Sequence, residues 1–193
     1  MEIRKEFKFE MGHIVRKAWS RRCSKNAHGH SYICEVFFKG DTLDNGQMLI
    51  DFGVMKQYLN DMIDSFDHAF WLWDISEDKH VIEFFTKEFE RVIVTPWSSS
   101  AESQAMMFYH FADATLRWLY KTNNLTNGEG PDIVVSRVIV HETKTGKAEY
   151  NIDDFKLEKN KIDISQTKFS EQIQNEWKFP EIVKEILYGK NNE

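Results

Sequence analysis

Three imidazoles and a thiol fall within one eighteen-residue stretch: His13, Cys23, His28 and His30. The segments on either side of it alternate apolar and polar residues. Such a grouping therefore demands a fold that brings the end of one strand beside the start of the next. His28 and His30 stand at i and i+2, and side chains at that spacing on a strand leave from the same face. Gly29 between them adds no side chain. Imidazole nitrogen is a preferred zinc ligand, and three protein ligands with a fourth position open is the pattern of a catalytic rather than a structural site. The residues predict a metal centre of His13, His28 and His30, with zinc as the ion and Cys23 beside it.

Hydrophobic periodicity supplies the frame. Phe7, Phe9 and Met11 alternate with Lys8 and Glu10, which predicts a half-buried strand over residues 3–11. Residues 31–39 repeat the signal. Val54, Met55, Tyr58, Leu59, Met62, Ile63 and Phe66 then recur at three- and four-residue spacing, the stripe of an amphipathic helix. A second helix is expected after Pro96, with Ser99 and Glu102 at the spacing of a capping box and Ala105, Phe108, Ala112, Leu116 and Leu119 along one face. Residues 133–140 and 148–152 read as a final pair of strands turned at Gly146. The order β-β-α-α-β-β predicts an α+β fold: one four-stranded antiparallel sheet with two helices on one face. Its other face is left for further copies of the chain to cover. Residues 1–152 would form this domain. Residues 153–193 turn polar, with short amphipathic patches on either side of Pro180, and read as a C-terminal helical extension.

Size and charge exclude several alternatives. A (β/α)₈ barrel also carries metal-binding histidines at strand ends, but needs roughly 250 residues, and this chain has 193. A net charge of −6 argues against nucleic acid and anionic membranes as partners, since both require Lys and Arg to neutralise phosphates. Lys17, Arg21, Arg22 and Lys25 are an exception, clustered where they could steer an anionic ligand to the metal. The only cysteines, Cys23 and Cys34, are too few for a disulfide framework, and the charged first residues are unlike a secretory signal. A cytoplasmic location is expected. Cys34 lies in an apolar strand and reads as core. Cys23, in a basic polar loop that favours thiolate, is the candidate nucleophile or base.

Several of these segments resemble, in order, the tunnelling-fold family of 6-pyruvoyl- and 6-carboxy-tetrahydropterin synthases. Phe9-Glu10-Met11-Gly12-His13 is similar to the family's first zinc-ligand segment, and Cys23 followed by His28-Gly29-His30-Ser31-Tyr32 to its second. Residues 46–52 are similar to its strand-to-helix entry. Phe66-Asp67-His68 resembles its Asp-His catalytic pair, Ser100-Ala101-Glu102 its Thr-x-Glu helix start, and Val140-His141-Glu142-Thr143 its pterin-anchoring segment. The resemblance covers residues 7–150. It implies a lyase acting on 7,8-dihydroneopterin triphosphate, with zinc on His13, His28 and His30, with Cys23, Asp67 and His68 moving protons, and with Glu142 holding the pterin edge. It also implies a homo-oligomer, a trimer or a dimer of trimers closing a β barrel. The carboxy branch, which releases acetaldehyde and triphosphate on the way to queuosine and other 7-deazaguanines, is the first expectation. The pyruvoyl branch, or a non-catalytic pterin- and zinc-binding module, is the alternative. Four residues separate Cys23 from His28, a spacing that does not choose a branch.

Overall fold

A computed structural model describes residues 1–77, 79–125, 132–157 and 162–188. In chain order it contains β1 (Glu2–His13), α1 (Arg21–Lys25), β2 (His28–Lys39), α2 (Phe52–Asp64), β3 (Ala69–Trp73), α3 (Lys79–Glu88), β4 (Val92–Thr95), α4 (Ala101–Lys121), β5 (Val134–His141) and β6 (Lys147–Asn151). The chain beyond adds α5 (Ile152–Lys156), a 3₁₀ turn, β7 (Lys168–Phe169), α6 (Glu171–Asn175) and α7 (Pro180–Tyr188).

The α+β class is as expected, and β1, β2, β5 and β6 are the four expected antiparallel strands. The sheet, however, has seven strands rather than four, in the order β6-β5-β2-β1-β3-β4-β7, and it is mixed. β3 runs parallel to the end of β1, β4 parallel to β3, and β7 antiparallel to β4. β3 and β4 leave no two-residue alternation in the sequence because both of their faces are buried or half-buried, and β7 is too short, at two residues, to show any period. Trp71 and Ile93 enter the main core, while Leu72, Val92 and Val94 form a second core under Ile82 and Phe85 of α3.

β1 buries Phe7, Phe9 and Met11 and exposes Lys8 and Glu10, so the expected alternation holds. α2 and α4 close the main core over these strands, with Phe66, Phe108 and Phe111 fully enclosed. α2 is capped by the Asp51 side chain, which accepts from the Gly53 N–H at 2.6 Å. The capping box expected at Ser99 is absent: Ser100 is the N-cap of α4 and makes no side-chain bond there. Ser99 is fully buried, and its hydroxyl donates to the Ile14 carbonyl instead. Residues 153–193, read as a helical extension, supply β7 besides their short helices, and Phe169, Ile173, Trp177 and Ile182 join the main core.

The second face of the β6-β5-β2-β1 sheet carries mostly charged side chains, with Ile33, Phe37 and Ile139 among them. Glu35, half-way along β2, is almost enclosed there and receives hydrogen bonds from Arg4 and, at 2.7 Å, from His141 Nε2. Burial pushes its carboxyl upward, but the bonds and charges of His141 and Arg4 outweigh that and hold it below the ordinary 4.5. A depressed folded pKa stabilises above the unfolded value and loses that contribution as pH falls through the folded one. Glu35→Gln should therefore flatten the decline of Tm with acid below about pH 4.5. An acid limb that keeps the wild-type slope would remove the cluster from the account.

Candidate metal centre and proton-relay residues

The β1–β2 hairpin builds the site by register. His13 pairs directly with His28 and Met11 with His30, which sets all three imidazoles on the helix-facing side of the sheet. Their ring centroids lie 4.6 to 5.3 Å apart. One nitrogen from each comes within 4.8 Å of the others, as a shared metal ion requires. Between the histidine pairs, Gly12 faces Gly29, and the Phe70 ring of β3 lies against Gly12 on the opposite face.

Main-chain carbonyls orient two of the rings. His13 Nδ1 donates to Ser99 O at 2.8 Å and His28 Nδ1 to Asn26 O at 3.0 Å, which turns both Nε2 atoms toward the shared space. His28 Nε2 is buried and has no hydrogen-bond partner among the described residues, an expensive condition that a metal ion would relieve. Burial takes the enclosed His13 imidazole down to about 4 despite the Ser99 bond, and its histidine neighbours lower it further. Burial likewise lowers His30 although Glu142 opposes it. Both are neutral near pH 7, as ligands must be. The residues present fit a divalent ion.

Glu142, at the turn after β5, brings Oε1 to 3.6 Å from His13 Nε2 and 4.0 Å from His30 Nε2. It thus borders the same space as the three ligands. Tyr32 seals the inner side, its hydroxyl 3.3 Å from His13 Nδ1. Gln104 Nε2 donates to the same Ser99 carbonyl that holds His13. Gln104 was not singled out in the sequence, and Ser99 was read there only as a helix cap, not as a residue whose carbonyl holds His13.

Asp67 and His68 form the second group. Adjacent residues on a straight strand point oppositely, so both can serve one site only if the chain turns between them. It does: His68 takes the left-handed φ of 59°, which costs a residue other than glycine some strain. Asp67 Oδ2 receives His68 Nδ1 at 2.6 Å and Oδ1 accepts the Glu10 N–H at 2.6 Å. Burial raises the Asp67 carboxyl, but these bonds and the Arg91 charge bring it below its ordinary value. It is ionised at neutral pH and orients an exposed imidazole.

Cys23 lies in α1, whose loop is fixed by the Val15 N–H bonding to the Cys23 carbonyl at 3.1 Å and by a two-pronged Arg16–Glu77 pair. Among the described residues no hydrogen bond within the chain joins the Cys23 thiol to Asp67 or His68. Cys34 is fully buried core, and burial drives its thiol well above the ordinary range. Of the basic residues, Lys17 sits over the Trp73 ring at 4.8 Å. No helix among the described residues is long and apolar enough to cross a membrane.

Sheet and hairpin together define the class first: an α+β protein with a three-histidine candidate metal centre. The sequence matches the family described as 6-pyruvoyl tetrahydropterin synthase over residues 2–153, and the chain belongs to that family. It is 36% identical over 189 residues to a 6-carboxy-5,6,7,8-tetrahydropterin synthase of Helicobacter pylori, covering 97% of this chain and 92% of that one. The corresponding protein of Aquifex aeolicus is 32% identical over 173 residues, covering 77% and 96%. Among solved structures, the 6-pyruvoyl tetrahydropterin synthase of Plasmodium falciparum superposes with a TM-score of 0.56 at 18% identity, covering 78% and 96%. An uncharacterized protein of Wolinella succinogenes does so at 0.55 and 18%, covering 79% and 98%. These two share the fold.

Proposed function

We propose that the chain is a zinc-dependent 6-carboxy-5,6,7,8-tetrahydropterin synthase, a lyase converting 7,8-dihydroneopterin triphosphate to the 6-carboxy product with release of acetaldehyde and triphosphate. The observation that carries this is the 36% identity across nearly the whole chain to relatives of that name. Zinc bound by His13, His28 and His30 would polarise the side-chain oxygens of the substrate. The remaining work belongs to side chains. Cys23 takes a proton from the substrate side chain as its thiolate, and Asp67 holds His68 so that the imidazole returns or removes protons at neutral pH. Glu142 accepts two parallel N–H bonds from the amino-pyrimidine edge. Lys17, Arg21, Arg22 and Lys25 give the leaving triphosphate a cationic approach.

The active assembly in this reading is a homo-oligomer built from trimers, with sites between subunits. Supporting it, β6 pairs only with β5, and β1 pairs on its outer side only over Met11–His13, which leaves two strand edges for other copies among the described residues. The product enters queuosine or another 7-deazaguanine in the cytoplasm, and residues 1–152 carry the proposed metal-binding, proton-moving and pterin-binding side chains. Purified protein given 7,8-dihydroneopterin triphosphate should yield acetaldehyde in proportion to triphosphate, with a 6-carboxy product by mass spectrometry. A pyruvoyl product with its carbon chain intact and no acetaldehyde would assign it to the other branch.

A further inference from the structure

The turn that carries Asp67 and His68 is gripped by Arg91 and, from beyond the residues the family match covers, by the segment holding Glu176 and Trp177. Arg91, at the entry to β4, donates from Nε to the Asp67 carbonyl at 2.7 Å and from Nη2 to the Ser65 carbonyl at 2.7 Å. The same guanidinium is held by Glu176, whose two carboxylate oxygens face Nη1 and Nη2. Next to it, Trp177 Nε1 donates to the buried Ser65 hydroxyl at 2.9 Å, and that hydroxyl donates to the Met62 carbonyl. Glu176 and Trp177 follow α6, well past residue 153 where the family match ends. A guanidinium committed to two carbonyls of one turn fixes that turn's peptide planes, since its planar fork allows few alternative geometries. The turn needs such a hold, because His68 is kept in a left-handed conformation that a histidine leaves readily when unsupported.

We propose that Glu176 and Trp177, acting through Arg91 and Ser65, are positioning residues that set the orientation of the Asp67–His68 pair, so that the C-terminal segment is a working part of the site. This rests on that pair serving the reaction proposed above. It also separates two roles for the same contacts. Trp177 packs against Phe169, which plain anchoring of a tail would explain. The bonds to Ser65 and through Arg91 to Asp67 are not needed for anchoring, and they end on the residues flanking the relay.

The test uses the full-length, zinc-loaded protein and 7,8-dihydroneopterin triphosphate with three variants: Trp177→Phe, which keeps the ring and loses the N–H; Glu176→Gln, which keeps the shape and loses the charge; and Arg91→Lys, which keeps the charge and loses the fork. Misplacement of a catalytic group by a fraction of an ångström to one ångström costs up to roughly a hundredfold. Glu176→Gln and Arg91→Lys should therefore lower kcat by roughly tenfold to a hundredfold, with KM within about threefold, metal content unchanged and the kcat–pH profile displaced. Combining them should slow the enzyme little beyond the worse single change, because they act in series. The His68 ring resonances should move in all three, and Trp177→Phe keeps the test open if Arg91→Lys does not fold. Folded variants with wild-type kcat, pH profile and His68 resonances but a lower Tm would reduce the contacts to anchoring and overturn the proposal. Asp67→Asn measured alongside reads the relay itself. If it turns over like wild type, the functional reading of the pair fails, and the His68 resonances alone decide whether the strap positions it.

Discussion

His28→Ala should give a folded protein that no longer retains a divalent ion and no longer turns over 7,8-dihydroneopterin triphosphate. His28 is the best ligand to remove because it is partly exposed, whereas His13 is fully buried and its loss would leave a cavity beside Tyr32. Among the described residues the His28 Nε2 atom has no hydrogen-bond partner, so removing it breaks only the Nδ1 bond to the Asn26 carbonyl. If the ion contributes about 4 kcal/mol of charge stabilisation, the rate falls roughly a thousandfold, at about 1.4 kcal/mol per decade. Metal analysis of purified wild type and variant, with far-UV circular dichroism as the folding control, checks the first half. Acetaldehyde release checks the second. Wild-type protein isolated without metal and indifferent to chelators during turnover would remove the metal centre from the mechanism.

Cys23→Ala should separate proton transfer from metal binding. The side chain belongs to a five-residue helix held by main-chain bonds and by the Arg16–Glu77 pair, none of which involves the thiol. Stability and metal content should stay near wild type. Loss of a positioned general base costs roughly 10²- to 10⁴-fold in kcat. Single-turnover rates on metal-replete variant and wild type make the comparison. Unchanged turnover in a metal-replete variant would take Cys23 out of the chemistry and leave the histidine centre standing.

The three-histidine candidate metal site was legible because two different regularities agree. The i, i+2 spacing of His28 and His30 fixes their common face, and the strand alternation through Met11 extends to His13. The hairpin register then has little freedom, since a shift of one residue would turn the Phe9 and Tyr32 side chains outward. The three added strands were hidden for the opposite reason. Ala69–Trp73 is apolar throughout, so it carries no period to read, and its partners are parallel or remote in sequence. Ser99 misled through its spacing from Glu102, which fits a cap, because the demand that wins there is tertiary: its carbonyl receives His13. Arg91 lay in a charged stretch like any solvated residue, and only the fold reveals that its donors meet the Ser65–Asp67 turn.

The facing glycines at 12 and 29 set a boundary for anyone who would equip this hairpin with a chosen metal. A Cβ at Gly12 would stand 2.6 Å from the Phe70 ring, and one at Gly29 3.0 Å from the Met11 main-chain oxygen. Ligand identity can be exchanged above this floor, histidine for cysteine or carboxylate, while a methyl group in the floor would displace the Phe70 ring at position 12 or push the β1 main chain by a few tenths of an ångström at position 29. Libraries built on the scaffold should hold both glycines fixed and spend their diversity on the rim.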